Sequence, residues 1–208
     1  MKKVLCVILT LIFVFALSAC GGNDEVLPNE ETVATTETQP VSVSKNSSDD
    51  FSGEYIFASG AGAWGNVLNL NSDGSFEGFF HDTDMQSSSD EQPYNAFSYD
   101  CKYSGKFEIE KGDNDYTYYL TMTEFVTEKP IGEEWAEGAI KYIITQPRGI
   151  EDCKEFVLYT PDAPVDELPE EFLRWCSALK PLDENTSKTL TCYGIMNTES
   201  NVGFFRYD

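Results

Sequence analysis

The chain has 208 residues, with 36 Asp and Glu against 14 Lys and Arg, for a formal net charge of −22. A field of that sign repels nucleic acid and anionic headgroups, so nucleic-acid binding is excluded as a function class. Aromatic residues make up 13% of the chain, enough for a packed core, and the single histidine excludes any metal centre that needs two from one chain.

The N-terminus carries Lys2 and Lys3, then an apolar run from Val4 to Leu17. That run is too short for a stable transmembrane helix and fits a secretory signal peptide. It ends in Leu17-Ser18-Ala19-Cys20, which resembles the bacterial lipobox. The resemblance implies that residues 1–19 are removed, that Cys20 carries diacylglycerol, and that the mature protein is extracytoplasmic and lipid-anchored to the cell membrane. Two or more acyl chains give a stable anchor, at about 0.8 kcal/mol per buried methylene. Residues 21–50 contain no aromatic residue and many Ser, Thr, Asn and acidic residues. Such a segment buries too little apolar surface to offset its ordering entropy, so 20–50 is expected to be a lipidated acidic tether.

Residues 51–208 hold 26 of the 28 aromatic residues, enough for one domain. Hydrophobicity there alternates with a period of two, which predicts strands. The expected strands are Glu54–Ala58, Val67–Leu70, Ser75–Phe80, Tyr103–Glu110, Tyr116–Phe125, Ala139–Thr145, Glu155–Tyr159, Thr189–Met196 and Val202–Tyr207. Turn residues at 71–74, 111–114 and 197–201 join neighbours as hairpins. Leu168, Phe172, Trp175 and Leu179 share one helical face, and Pro169 and Pro181 bracket it, so one short helix is expected near 168–179. The predicted class is mainly β, an antiparallel meander closed as a barrel or, alternatively, folded as a sandwich.

Ser52-Gly53-Glu54-Tyr55 followed by the turn Asn71-Ser72-Asp73-Gly74 resembles the opening of small lipocalin-like barrels, with Tyr55 where that family has Trp. The segment 59–64, the Asp-Gly turn and His81-Asp82-Thr83-Asp84-Met85 are similar to a group of lipoproteins from Gram-positive bacteria. That second likeness brings no activity with it. It favours a Gram-positive surface.

Several residues are candidates for a site. Gly60-Ala61-Gly62-Ala63-Trp64-Gly65 matches a dinucleotide fingerprint, but a strand follows it where the fingerprint needs a helix, so a rim turn is expected. Trp64 in that turn is suited to stacking on a ligand. Asn69, Asn71 and Asp73 have calcium-loop spacing, yet the twelfth position is Phe80 rather than Glu, and a hairpin turn is expected. His81, Asp82 and Asp84 open a polar stretch to Asp100 that reads as a long loop. Carboxylates there suit Ca²⁺, and His81 suits proton transfer. Tyr94 and Tyr99 are placed in the same stretch as a lid. No organic cofactor is expected.

Cys101, Cys153, Cys176 and Cys192 permit two disulfides in three pairings. There is no G-x-S-x-G elbow to mark a nucleophile. The function expected first is a non-catalytic module that binds a small apolar or aromatic ligand. An envelope interaction protein with a filled barrel comes second, and a hydrolase using acidic residues third.

Overall fold

The computed structural model describes residues 50–85, 89, 93–179 and 187–207; the expected signal 1–19, Cys20 and the expected tether as far as residue 49 lie outside them. The described residues form ten strands: β1 (Gly53–Ala58), β2 (Trp64–Leu70), β3 (Ser75–Met85), β4 (Ala96–Lys111), β5 (Thr117–Thr127), β6 (Glu134–Glu137), β7 (Ile140–Ile144), β8 (Glu155–Tyr159), β9 (Tyr193–Asn197) and β10 (Gly203–Arg206). Eight of them, β1–β5 and β8–β10, close an antiparallel ring in chain order, and β1 pairs β10 with Ile56 opposite Phe205. This is an up-and-down barrel of the lipocalin-like kind, not a sandwich.

The three expected hairpins join β2 to β3, β4 to β5 and β9 to β10. In the first, Asp73 accepts from the backbone and hydroxyl of Ser75, and Gly74 adopts φ +83°, which disfavours other residues. The Asn69–Asp73 spacing is thus a hairpin turn. The expected count of nine strands misses β6. The β6–β7 hairpin is inserted between β5 and β8, and β7 runs parallel to the first part of β4, from Ala96 opposite Ile140 to Asp100 opposite Ile144. Trp135 on β6 stacks on Tyr142 of β7 with centroids 5.0 Å apart, and the Lys129 ammonium lies 3.8 Å over the indole.

An eight-stranded barrel is about wide enough for side chains to fill. Tyr55, Phe57, Leu68, Leu70, Phe76, Phe80, Tyr103, Phe107, Leu120, Phe156, Leu158, Ile195 and Phe204 all point inward and are at most 4% exposed. Phe76 stacks on Phe107 at 4.5 Å, and Phe107 meets Phe156 at 5.3 Å. Segment 147–153 caps one end and sends Ile150 and Cys153 into the same core. Its backbone is pinned there by two side chains. Asn66 Nδ2 donates to the Arg148 carbonyl (2.8 Å), and Asn197 Nδ2 donates to that of Gly149 (3.0 Å). The Tyr103 hydroxyl donates to Asn66 Oδ1 (2.7 Å). The other end is covered by Phe51, whose ring lies 4.4 Å from Tyr118. The Arg206 guanidinium holds that segment by donating to the carbonyls of Asp50 (2.9 Å) and Ser52 (2.7 Å).

The connection from β8 to β9 lies on the outer wall. Its 3₁₀ turn spans Val165–Glu167, and the helix α1 spans Glu170–Arg174, shorter than the 168–179 periodicity suggests. Beyond Arg174 the chain continues in tight turns, with the Cys176 N–H donating to the Leu173 carbonyl and that of Leu179 to Cys176. The apolar face survives the change. Leu168, Phe172 and Cys176 join Leu190, Met196 and Phe205 in a second core outside the barrel. Phe172 is fully buried against Gly194 and Gly203, where a Cβ would come within 2.6 and 2.3 Å of its ring.

Candidate functional site

The expected loop from His81 to Asp100 is largely strand. His81, Asp82, Thr83 and Asp84 lie within β3, Tyr99 lies within β4, and only 86–95 connect the two. This corrects the lid expectation for Tyr99. Tyr94 does fall in the connection, with its ring 6.0 Å from Phe97. Trp64 likewise begins β2 instead of sitting in the preceding turn.

Strand geometry then sorts the cluster. Successive side chains point to opposite faces, so His81 and Thr83 project from one side of the sheet, and Asp82 and Asp84 from the other. Among the described residues no three His, Cys, Asp or Glu side chains come together to hold a metal. Asp82 continues the inward face of Phe80 to the rim, directly opposite Trp64 on β2 and Tyr99 on β4. Its carboxylate lies 3.6 Å from Arg148, whose guanidinium covers the Trp64 ring at 4.8 Å. Trp64 also packs on Phe57 (4.9 Å) and Trp175 (5.7 Å). These residues seal the capped end, which accounts for Trp64 and Asp82 without a ligand.

The outward set forms a continuous hydrogen-bonded row. His81 Nδ1 lies 2.7 Å from Asp100 Oδ1, and His81 Nε2 lies 2.8 Å from the Thr83 hydroxyl. The Ser98 hydroxyl donates to both Asp100 oxygens, at 3.2 and 3.1 Å. With Nδ1–H donating to the carboxylate, Nε2 is left to accept from Thr83. The imidazole is 44% exposed and Asp100 18%, so the row is partly desolvated yet open to solvent. Phe79 stacks beside His81 at 6.2 Å and faces a surface groove of about 500 Å³. Val67 and Val126 line this groove, with Lys102 and Glu128 forming an ion pair at its edge (3.7 Å).

Ser98 is absent from the sequence expectations, Asp100 enters them only as the end of the polar stretch, and Thr83 is present without a role. The signal was the pair of i, i+2 spacings, His81/Thr83 and Ser98/Asp100. These meet once the β3–β4 register is extended past Phe80 to place His81 opposite Asp100.

The cysteines separate into two environments. Cys101 and Cys153 belong to the barrel core, and burial pushes the Cys101 thiol up to about 11, so it stays protonated. Cys176 and Cys192 belong to the outer core.

No family model matches this sequence, and no curated protein or solved structure shows significant similarity to it.

Proposed function

We propose that the protein is a lipid-tethered extracytoplasmic binding module that works through the outside of a filled barrel. The observation that carries this is the interior itself. It is occupied by aromatic side chains and stoppered by 147–153, where a carrier would have its chamber. The binding surface of this reading is the groove bounded by Val67, Phe79 and Val126. An envelope protein with an apolar anchor and basic flanks fits it, because the domain carries 29 acidic residues against 11 basic ones.

A photo-crosslinking residue at Val126 tests this in cells, with Tyr119, exposed but outside the groove, as control. The expected result is a discrete adduct from Val126 and none from Tyr119. In the same cells Cys20→Ala accumulates as an unlipidated precursor without fatty-acid label. Equal crosslinking at both positions removes the groove from the reading. Label that persists in Cys20→Ala removes the anchor.

One observation favours a second reading, ester hydrolysis. The 2.7 and 2.8 Å contacts set Asp100, His81 and Thr83 in the order of carboxylate, base and nucleophile. Thr83 Oγ1 attacks an ester carbonyl while His81 Nε2 takes its proton and returns it to the departing alkoxide. Water then hydrolyses the acyl-threonine by the same route. An acyl chain fits the groove beside Phe79. With p-nitrophenyl esters as probe, this reading expects Thr83→Val and His81→Ala each to lower turnover at least 100-fold. Turnover unchanged by Thr83→Val ends it, as does a wild-type rate no greater than buffer.

A further inference from the structure

The four cysteines allow three pairings, and the fold distinguishes between them. Cys101 Sγ contacts the Lys102 carbonyl at 3.8 Å, on its own strand. Cys153 Sγ lies 2.9 Å from the Glu155 carbonyl and 3.8 Å from the Thr198 hydroxyl. Both belong to the barrel core. Cys176 and Cys192 lie outside it, beneath α1, and their Sγ atoms are 3.7 Å apart. A disulfide bond measures about 2.05 Å, so the two sulfurs already lie within about 2 Å of bonding distance. Both residues are buried, at 3% and 5% exposure, among Phe172, Leu190 and Phe205.

We propose that Cys176 and Cys192 form the disulfide of this protein, and that Cys101 and Cys153 remain thiols. The bond joins two points 16 residues apart and fixes the β8–β9 connection, with its helix, to the barrel wall.

The chemistry is thiol–disulfide exchange. Both sulfurs are buried in the folded domain, so the exchange takes place before the β8–β9 connection packs on the wall: the Cys176 thiolate attacks one sulfur of an external disulfide, such as oxidised glutathione. The first external thiolate leaves and takes up a proton. Cys192 then gives up its proton and attacks Cys176 Sγ in the mixed disulfide, expelling the second thiol. Two electrons pass from the cysteine pair to the external disulfide, which becomes two thiols.

The surroundings favour Cys176 as the attacking group. The Cys192 thiol beside it, with help from the Leu179 and Ala178 backbone N–H groups and the Tyr207 hydroxyl, draws its pKa down to about 7 against the effect of burial. That direction favours the thiolate of Cys176 over those of the other cysteines as the nucleophile.

Trypsin cuts after Arg174 and Lys188, which puts Cys176 and Cys192 in different peptides, 175–188 and 189–206. The full chain, reduced and unfolded in urea, is refolded by dilution into reduced and oxidised glutathione, then alkylated under denaturing conditions and digested without reductant; four alkylated cysteines would overturn the proposal. The expected product is a single species linking 175–188 to 189–206, with Cys101 and Cys153 alkylated. Its melting temperature exceeds that of the reduced chain by roughly 6–12 °C. Cys176→Ser should melt with the reduced wild type and ignore reductant. Cys101→Ser should keep the difference between oxidised and reduced forms. A link from Cys176 to Cys101 or Cys153, or stable mixed glutathione adducts on both Cys176 and Cys192, overturns the proposal. This assay does not depend on export, so it is independent of the anchoring and binding readings.

Discussion

Asn66→Leu should destabilise the domain by roughly 2–5 kcal/mol in urea unfolding, more than the loss of any one ordinary hydrogen bond. Asn66 is fully buried and serves two groups at once. Its Oδ1 accepts from the Tyr103 hydroxyl, and its Nδ2 satisfies the Arg148 carbonyl at the edge of the stopper. Leucine has the same branching and number of heavy atoms and is bulkier, so no cavity forms. What remains is a hydroxyl and a carbonyl facing an apolar wall, each costing about 1–3 kcal/mol when left unpaired. Tyr103→Phe strands only one group, Asn66 Oδ1, and should cost about 1–3 kcal/mol, less than Asn66→Leu. Burial drives the Tyr103 hydroxyl far above its ordinary pKa, so it stays a donor and the difference between the two variants should not change with pH. An Asn66→Leu cost below 1 kcal/mol would show that Ile150 and its apolar neighbours seat the stopper alone.

The outer wall should give the second large effect. Phe172→Ala is expected to cost about 3–5 kcal/mol, since the ring is fully buried between Tyr159 and Phe205, with centroids 5.4 and 4.7 Å away. Gly203→Ala alone should cost about 1–3 kcal/mol, because its Cβ would come within 2.3 Å of the same ring. In the double variant that Cβ enters space the ring has vacated. The combined cost should fall short of the sum by at least 1 kcal/mol, a coupling that thermal or urea unfolding of the four chains measures directly. Additive costs would mean that Phe172 does not dictate the glycine.

The strands of the ring were legible in the sequence because each has a solvent face and a core face, so alternation survives locally. Glu155–Tyr159 coincides with β8, and Tyr116–Phe125 differs from β5 by one or two residues at its ends. The β6–β7 hairpin was half visible. Ile140, Tyr142 and Ile144 alternate, but Glu134–Glu137 is acidic around a single tryptophan, and only pairing with β7 makes it a strand. Segment 147–153 carries no periodicity at all. Its position is set by Asn66 and Asn197, 82 and 48 residues away from the carbonyls they hold.

The candidate site failed in a different way. His81 through Asp84 forms one polar cluster in sequence only, since a strand sends neighbours to opposite sides. The row that does assemble uses residues 19 apart, His81 and Asp100, and depends on a register that no composition reveals.

The barrel joins its first strand to its last, Ile56 to Phe205. A chain that leaves its point of synthesis or transport N-terminus first therefore holds β1 with one edge open until β10 is free. Folding is late and dominated by distant contacts, which slows it. Until β10 arrives, the aromatic faces of β1 and β9 have no partner between them. β10 thus acts as the timer of the whole fold: without it the remaining seven strands form an open sheet instead of a slightly smaller barrel.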